Sequence, residues 1–516
     1  MSAAGTTQLG STPERGVGPR ASLAVLMLIL LGVGLCSALH AVAKPFWYDE
    51  IITTIVCHLP TVPAIWHALD SAADTNPPFF YVVFRLAGRL ISDDHLGYRL
   101  PSILGLLGTV LCIYIALARR LSRLSALVAA TSVLCTPLAS YAFEARPYAL
   151  MLGCISGAVV AWQRIDDSML WALVVAIALA MAESLHYYAI LVWPAFVVAE
   201  LSVCIVRRRF RVRAWAAFLV GALPLLLFAR LLLNLRAYYG EHYWAQPSIR
   251  QVFDAFDWLF NMPPHWGWLF AVGVTAALLW PIIVHAKKGG LPSLRHTEVS
   301  VVPIEELALA LMLVWLPVVG VAVAMIGHGG MTARYLFPTV IGGGLAVGYL
   351  VERLATGRVL LIVLLLSSYA SSSVGVVGSL FAGSLLKQRE EATREFSAIL
   401  SRYHAYDNLP VVISDSDDYL RMAYYTPADL QGRLYTIVDP AAAVAITGTD
   451  SEDLAFIVLR RYFPLQAEEY GDFLAKHGEF LLASGGSMVT QLVRDGNLVT
   501  LVSTGSPEFY RVTVKR

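Results

Sequence analysis

Long apolar segments, separated by short polar connections, occupy most of the chain up to about residue 381. Several of these segments exceed the roughly 18 residues that an α-helix needs to cross a bilayer. Residues 1–20, which precede them, are rich in Gly, Ser and Thr and are predicted to be a disordered cytoplasmic terminus. The apolar pattern predicts about eleven transmembrane helices, at residues 21–43, 98–118, 124–142, 146–163, 169–187, 189–206, 214–233, 265–285, 304–326, 333–352 and 359–381.

The end of the chain, residues 386–516, has the pattern of a soluble domain, in which short apolar runs alternate with polar stretches. Asp495-Gly496 is a strong hairpin signal between two of these runs. The predicted strands are 411–413, 433–438, 454–459, 488–494 and 497–502, and the predicted helices are 417–425 and 467–476. We therefore expect an α-helical polytopic membrane region at 21–385, followed by a small α/β domain.

Basic residues set the predicted orientation in the membrane. The apolar stretch 77–92 contains Arg85 and Arg89, is short for a span, and fits a helix lying in the membrane interface better. With this stretch outside, the positive-inside rule places three basic clusters in the cytoplasm, at 119–123, 207–213 and 287–288. Residues 44–97 are then one long external loop, and the C-terminal α/β domain also lies outside.

Composition supports a membrane protein and excludes other classes. Hydrophobic residues make up 57% of the chain and charged residues only 15%, whereas soluble domains average roughly 25% charged residues. The net charge of +1 gives no overall field that would attract nucleic acid. The six cysteines lie mostly in apolar segments and indicate neither a disulfide framework nor a cysteine metal site.

The first candidate for chemistry is the pair Asp49-Glu50, where the first apolar segment gives way to the external loop. Two adjacent carboxylates at the mouth of a membrane helix are costly to hold there without a function. One interpretation is a catalytic acid pair that acts on a lipid-borne substrate at the membrane surface. The other is a pair of solvated acids beside the interfacial aromatic residues Phe46, Trp47 and Tyr48.

Other polar residues are predicted to lie on the same external face. Each has a structural alternative: a snorkelling arginine, a local Glu144–Arg146 ion pair, an interfacial histidine, or a connecting glycine-rich loop. Carboxylates beside cations at the ends of lipid-exposed helices nevertheless favour a reaction with an anionic lipid donor. These candidates are Asp74, Arg99, Glu144, Arg146, His186, Tyr187, Arg334 and Tyr335.

The order of these motifs resembles the C-type (GT-C) membrane glycosyltransferases. The resemblance is to the bacterial branch that groups protein O-mannosyltransferases with lipid A aminoarabinose and galacturonic acid transferases, and it covers about residues 21–381. Its motifs, in order, are Asp49-Glu50, Asn76-Pro77-Pro78, Arg99-Leu100-Pro101-Ser102, Phe143-Glu144-Ala145-Arg146-Pro147-Tyr148, His186-Tyr187-Tyr188 and Arg334-Tyr335.

The resemblance implies an inverting enzyme of the bacterial inner membrane with its active site on the periplasmic side. It would move a sugar from a polyprenyl-phosphate donor to a hydroxyl or phosphate of a lipid, glycan or protein acceptor. Asp49 would be the general base, and Glu50 and Glu144 would position the acceptor and the sugar. The arginine candidates would stabilise the departing polyprenyl phosphate, and Asp74, His186, Tyr187 and Tyr335 would contribute to substrate binding.

Two points stay open in this resemblance. Many relatives carry Asp where this chain has Glu144, so the role of that side chain is undecided. Glu50 and Glu144 could share a divalent cation, but metal dependence varies across the superfamily, and we predict no metal site.

Two other classes of function remain. A transporter or flippase of lipid-linked glycans predicts paired internal repeats with broken helices and charges near the midplane, and the sequence shows neither. A non-catalytic scaffold for envelope enzymes predicts that Asp49→Asn leaves the phenotype intact.

Overall fold

The computed structural model describes residues 18–289, 302–353, 409–426, 431–483, 486–504 and 508–515. Within these residues, a helical membrane region packs against a C-terminal α/β domain. Most of the predicted disordered terminus, the last predicted span at 359–381 and the predicted domain boundary near 385 lie outside the described residues.

Helices occupy each predicted span that falls on described residues. A continuous apolar segment can satisfy its backbone in a bilayer only by forming internal hydrogen bonds, so these segments are helical. The helices are α1 (Pro19–Ala43), α5 (Asp94–Ala118), α6 (Arg123–Ser132), α7 (Leu138–Tyr141), α8 (Tyr148–Trp162), α9 (Met169–Leu185), α10 (Trp193–Arg207), α11 (Val212–Gly221), α12 (Leu223–Leu227), α13 (Ala229–Tyr239), α14 (Arg250–Leu259), α15 (Trp266–Gly289), α16 (Ile304–Val314), α17 (Leu316–Gly327) and α18 (Pro338–Arg353).

Fewer helices meet the length and composition expected of a complete span than the predicted eleven. In the described part of the chain, four helices do so, or up to six if each of two bent helix pairs is one span. The pairs bend by 48° before Ala229 and by 56° before Leu316. Other predicted spans are short apolar helices, such as Tyr148–Trp162 and Met169–Leu185. The apolar pattern locates these segments but does not fix where each helix bends or ends.

The external loop is more ordered than predicted, because three helices fill it. The stretch predicted to be an interfacial helix forms α4 (Pro78–Leu90), which buries Phe80 and Phe84 and leaves Leu86 and Leu90 exposed. Two further helices, α2 (Tyr48–His58) and α3 (Val62–Asp70), were not predicted. Most of α2 is buried, so the loop forms part of the protein core.

Close packing of α5 against α8 fixes the start of each of these two helices. A Cβ atom at Gly105 of α5 would lie 2.3 Å from the backbone of Leu150 in α8, so only glycine permits this approach. Arg99 lies near the outer end of α5, and Glu144 lies just ahead of α8. The helix contact therefore brings these two residues to one face of the membrane region.

The C-terminal domain contains one mixed sheet of six strands in the order β3-β2-β1-β4-β6-β5. Strands β3, β2, β1 and β4 are parallel to one another, and β6 is antiparallel to both β4 and β5. The elements are β1 (Val411–Ile413), α19 (Ser416–Tyr425), β2 (Leu434–Val438), α20 (Pro440–Thr447), α21 (Ser451–Leu459), β3 (Ala467–Glu469), α22 (Tyr470–Lys476), β4 (Glu479–Ala483), α23 (Gly486–Arg494), β5 (Leu498–Ser503) and β6 (Phe509–Thr513).

Two strand predictions in this domain were wrong. The apolar run 454–459 belongs to helix α21, whose first turn contains Glu452 and Asp453, and 488–494 belongs to helix α23. Short apolar runs do not distinguish a strand from a buried helix. The predicted hairpin at Asp495-Gly496 is therefore a helix-to-strand connection, with Gly496 at φ +82°, and the antiparallel partner of β5 is β6.

The predicted helix 467–476 was partly wrong, because its first residues form β3 and only Tyr470–Lys476 is helical. The other predicted elements, at 411–413, 417–425, 433–438 and 497–502, are present within a residue or two.

Candidate active site

The ends of several helices that are predicted to be external meet beside the C-terminal domain, around the start of α2. Arg99 and Glu50 form a buried ion pair there, with Nε–Oε1 and Nη2–Oε2 distances of 2.7 and 2.6 Å, and neither side chain is exposed. The amide of Ala145 also donates to Glu50 Oε1 at 2.6 Å. Both carboxylate oxygens of Glu50 are therefore engaged by protein donors.

Asp49 precedes Glu50 in α2, and its carboxylate contacts two arginines. Asp49 Oδ2 is 2.9 Å from Arg334 Nη1 and 3.2 Å from Arg146 Nη2. The Asp49 and Arg334 side chains are each 17% exposed. The three residues come from α2, the loop before α8 and the segment before α18. This arrangement is an accessible carboxylate between two guanidinium groups.

Glu144 is adjacent to this arrangement but does not contact Asp49. Its Oε1 accepts a hydrogen bond of 2.9 Å from Lys44 Nζ, and its buried Oε2 has no hydrogen-bond partner among the described residues. Burial raises the pKa of the Glu144 carboxyl, and the Lys44 ammonium offsets part of this rise. Glu144 therefore retains one unpaired oxygen near the site.

Asp74 and Asn76 are a second pair of polar residues, in the predicted external loop 44–97. Asp74 Oδ1 accepts a hydrogen bond from the amide of Thr75 at 2.6 Å. Asp74 Oδ2 and both side-chain amide atoms of Asn76 are buried and lack a well-formed hydrogen bond in the described part of the chain. Burial raises the pKa of Asp74, while the positive charge of Arg146 lowers it. Buried polar atoms without partners are uncommon in folded proteins. Of these two residues, Asp74 lines the cavity described below, whereas Asn76 does not.

Aromatic rings line the side of the site opposite α2. Tyr335 is buried and stacks on Tyr188, with ring centroids 4.3 Å apart. His186 is also buried, and its ring lies 5.3 Å from that of Tyr335 and 5.1 Å from that of Tyr148. Tyr187 is half-buried at the start of the same short segment. These rings form an apolar wall with hydroxyl groups at its edge.

Some of the residues described above line a cavity of about 310 Å³. Of the predicted residues, Asp49, Asp74, Arg146, Arg334 and Tyr335 line it, whereas Glu50, Arg99, Glu144, His186 and Tyr187 do not. The structure thus separates the candidates into one set that faces the cavity and another that packs behind it.

Several residues that line this cavity were not candidates from the sequence. They include Ser451 and Glu452, which belong to the C-terminal domain. Tyr243 and Trp244 come from the aromatic segment before α14, whose density of aromatic residues suits either sugar stacking or, preferably, a membrane-interface belt. Nothing in the sequence signals that the C-terminal domain reaches this cavity. The other lining residues that were not candidates are Trp47, Tyr48, Ile52, Ala73, Thr75, Tyr239 and Ala455.

A second cavity, of about 390 Å³, shares Arg334 and Trp244 with the first. Its walls include Tyr141, Trp258 and Met331. The Arg334 guanidinium lies over the Trp244 ring at 5.6 Å from its centroid. Arg334 therefore lies at the junction between a polar cavity and a more apolar one.

The residues do not fit a divalent cation shared by Glu50 and Glu144. Both oxygens of Glu50 are occupied by Arg99 and Ala145, and Lys44 occupies one oxygen of Glu144. Within the described residues, His, Cys, Asp and Glu form no group of three or more that could hold a metal ion.

Comparison with known proteins identifies the fold. Residues 75–233 match the family model described as dolichyl-phosphate-mannose-protein mannosyltransferase. This range contains Arg99, Glu144 and Arg146, but neither Asp49 nor Arg334. No curated protein matches the chain in sequence.

Solved structures match over nearly the whole chain at low sequence identity. ArnT from Cupriavidus metallidurans bound to undecaprenyl phosphate has a TM-score of 0.55 at 12% identity, with 96% of this chain and 98% of ArnT covered. Its apo form has a TM-score of 0.57 at 12% identity, with 95% and 98% covered. The apo Archaeoglobus fulgidus oligosaccharyltransferase has a TM-score of 0.47 at 10% identity, with 95% and 74% covered.

The chain therefore has the fold of the C-type membrane glycosyltransferases, and the resemblance predicted from its sequence is confirmed. The fold class is also confirmed: a polytopic helical membrane region followed by a small C-terminal domain built on a sheet.

Proposed function

We propose that the chain is an inverting glycosyltransferase that uses a polyprenyl-phosphate sugar. Residues 21–385 would form the catalytic membrane domain and 386–516 an external domain. The acceptor would be a hydroxyl or phosphate group of a lipid, glycan or protein, on the periplasmic face of a bacterial inner membrane. The fold and the family match support this class of enzyme.

The observation that carries the proposal is the position of Asp49 between Arg146 and Arg334 in the cavity wall. One carboxylate and two guanidiniums leave one positive charge. A polyprenyl-phosphate sugar is a phosphodiester with one negative charge, and guanidinium groups bind phosphate oxygens through paired donors. Donor binding would thus neutralise the cluster of Asp49, Arg146 and Arg334, beside which Asp74 and Glu452 also line the cavity.

The same geometry supports a role for Asp49 as the general base. When the donor phosphate binds the arginines, it replaces Asp49 as their partner and frees the carboxylate for the acceptor. The acceptor oxygen then attacks the anomeric carbon of the sugar, and its proton passes to Asp49. The bond from the anomeric carbon to the phosphate oxygen breaks, and polyprenyl phosphate leaves with the electron pair.

The remaining predicted residues would take different roles. Asp74 faces the cavity and would accept hydrogen bonds from sugar hydroxyls, and Tyr335 would provide a stacking surface. His186 and Tyr187 would support that aromatic wall from behind. Glu144 has one unpaired oxygen but does not line the cavity, and it would support the site from behind the cavity wall.

Glu50 and Arg99 would act indirectly. Their mutual hydrogen bonds leave no oxygen of Glu50 for substrate, and Arg99 is fully buried. We therefore propose that this pair holds the loop that carries Asp49, in place of the acceptor-positioning and phosphate-binding roles implied by the resemblance.

The second cavity would receive the lipid part of the donor next to the phosphate. Trp258, Trp244 and Met331 provide apolar surface there, and Arg334 connects it to the first cavity. A structure of ArnT contains bound undecaprenyl phosphate, which supports a polyprenyl carrier for this fold.

The test is donor turnover by purified protein in lipid nanodiscs. A panel of undecaprenyl-phosphate sugars is supplied with lipid, glycan and peptide acceptors, and release of undecaprenyl phosphate is measured. We expect release by the wild type and a loss of about 10²–10⁴-fold for Asp49→Asn, the range for removal of a general base. Asp254→Asn, at an exposed ion pair in α14, serves as the matched control. Full turnover by Asp49→Asn would contradict the assignment.

A further inference from the structure

The backbone segment 44–48, which leads into the helix that carries Asp49, is held from two sides. On the side of the membrane region, Arg99 binds its carbonyl groups. Arg99 Nη1 donates to the carbonyl of Lys44 at 2.6 Å and Nη2 to that of Pro45 at 3.1 Å. The guanidinium also lies over the Phe46 ring, 4.8 Å from its centroid. These contacts fix the carbonyl side of the segment.

The amide side of the same segment is held by side chains of the C-terminal domain. The amide of Phe46 donates to the hydroxyl of Tyr425 at 2.6 Å, and the amide of Tyr48 donates to Asp417 Oδ1 at 3.0 Å. The Tyr425 hydroxyl shares a second hydrogen bond, of 2.8 Å, with His95 Nε2. The donors and acceptors are 379 and 369 residues apart in the sequence. Two side chains of one helix, α19, thus bind the backbone that precedes Asp49.

The amide of Tyr48 is one of the first-turn amides that an α-helix cannot satisfy internally. An N-cap side chain satisfies the amide of the second or third helical residue, and loss of such a cap costs about 0.5–2 kcal/mol. Trp47, at the N-cap position of α2, makes no side-chain cap hydrogen bond. Within α2 itself, Glu50 Oε2 accepts a hydrogen bond of 3.4 Å from the amide of Trp47. Asp417 supplies the acceptor for the next amide, that of Tyr48.

We propose that Asp417 and Tyr425 are positioning residues of the active site, and that the C-terminal domain is an integral part of it. By fixing the first turn of α2, they hold the Asp49 carboxylate toward the cavity. A displacement of about 1 Å at a reacting group costs on the order of 10²-fold in rate. The expected effect on the rate rests on the proposed function, whereas the expected effect on the first turn of α2 does not.

Neighbouring contacts place the same domain against other parts of the site. The Phe456 ring packs edge-on against Tyr48, with centroids 6.2 Å apart. Ser451 Oγ accepts a hydrogen bond of 3.1 Å from the amide of Trp244, the residue whose ring lies beneath Arg334. The domain therefore contacts the segments on both sides of the Asp49–Arg334 pair.

The experiment uses the full chain in nanodiscs and two readouts, amide hydrogen exchange over residues 46–50 and donor turnover. We expect Asp417→Ala and Tyr425→Phe to increase exchange in this segment about tenfold and to lower kcat about 10–100-fold, with the donor KM changed less than threefold. Asp417→Asn retains an oxygen that accepts the Tyr48 amide and should keep both values near those of the wild type.

Asp495→Ala and Tyr510→Phe are the matched controls. Each removes one hydrogen bond at the far edge of the same domain, and both should leave exchange and turnover unchanged. Unchanged exchange in Asp417→Ala and Tyr425→Phe would overturn the proposal, and so would equal losses in Asp417→Asn and Asp417→Ala. If the wild type turns over no donor, the proposed function fails, but the exchange measurement still decides whether these residues hold α2.

Discussion

Glu50 and Arg99 form a charged pair joined by two hydrogen bonds, of 2.7 and 2.6 Å, and neither side chain is exposed to solvent. Arg99 makes three more hydrogen bonds, to the carbonyls of Ala41, Lys44 and Pro45. This one guanidinium thus joins the outer ends of α1 and α5 to the start of α2. Burial of a complete charge pair is tolerated because every polar atom of the pair has a partner.

We expect Arg99→Met to destabilise the fold by about 3–5 kcal/mol, because it leaves Glu50 as an unpaired buried charge. The measurement is thermal unfolding of the purified protein, together with its folded yield. Arg119→Met, at an exposed position beyond the end of α5, is the control and should change stability little. A stable Arg99→Met protein with selectively weakened donor binding would instead place Arg99 at the donor phosphate.

The membrane topology gives a second prediction. Ser92 is exposed just after α4, and the side chain of Arg209 is 62% exposed in a basic loop. With the six native cysteines replaced, we expect Ser92→Cys to react with an impermeant maleimide in intact cells. Arg209→Cys should react only after permeabilisation, because basic loops stay in the cytoplasm. The reverse labelling pattern would invert the orientation and place Asp49 on the cytoplasmic side.

Much of the membrane region could be predicted because long apolar segments have one solution in a bilayer, a helix with internal hydrogen bonds. The helices α2 and α3 were missed because each is short and lies among polar residues in a loop. In the C-terminal domain, α21 was read as a strand, since its run of apolar residues is too short to show a period. The strands β4 and β6 depend on partners distant in the sequence, and no local signal identified them.

The candidate site was predictable in part. Sequence placed Asp49, Arg146 and Arg334 on one external face, and the structure brings them into direct contact. The sequence did not predict that Arg99 pairs with Glu50, because both residues lie at predicted helix ends, as the cavity residues do. Contacts from Asp417 and Glu452 could not be inferred, since no motif in the C-terminal domain indicates a site.

The pKa of Asp453, near the first turn of α21, gives a third prediction. Burial is the main cause that raises it from the ordinary 3.8 to about 6, and the negative charges of Asp439 and Glu452 contribute. Between these values the folded protein binds more protons than the unfolded chain, so stability is full below about pH 4 and falls as pH rises through about 6.

The side chain of Asp453→Asn stays neutral, so we expect this variant not to lose folding stability at this position as pH rises. The variant should therefore be more stable than the wild type at pH 7 by on the order of 1–2 kcal/mol, a value reduced for the solvent screening of a half-buried carboxyl. The difference in unfolding free energy between the two proteins, measured from pH 4 to pH 7, isolates this group from all other titrations. A difference that does not vary with pH would contradict the burial effect.

Glu452 provides the last prediction, because it brings a carboxylate of the C-terminal domain into the cavity beside Tyr48 and Asp74. One of its oxygens accepts a hydrogen bond of 2.6 Å from Ser416. In the proposed mechanism the arginines hold the donor phosphate, and the acceptor would approach Asp49 from the side of the cavity where Glu452 lies. A hydrogen bond from a substrate hydroxyl to a charged group contributes about 1.5–3 kcal/mol. We therefore expect Glu452→Gln to raise the acceptor KM roughly tenfold or more and to leave the donor KM unchanged.

Glu469→Gln, whose side chain is 62% exposed on the same domain, is the control and should change neither constant. If Glu452→Gln raised only the donor KM, Glu452 would contact the donor sugar, and the acceptor would have to enter along another side of the cavity.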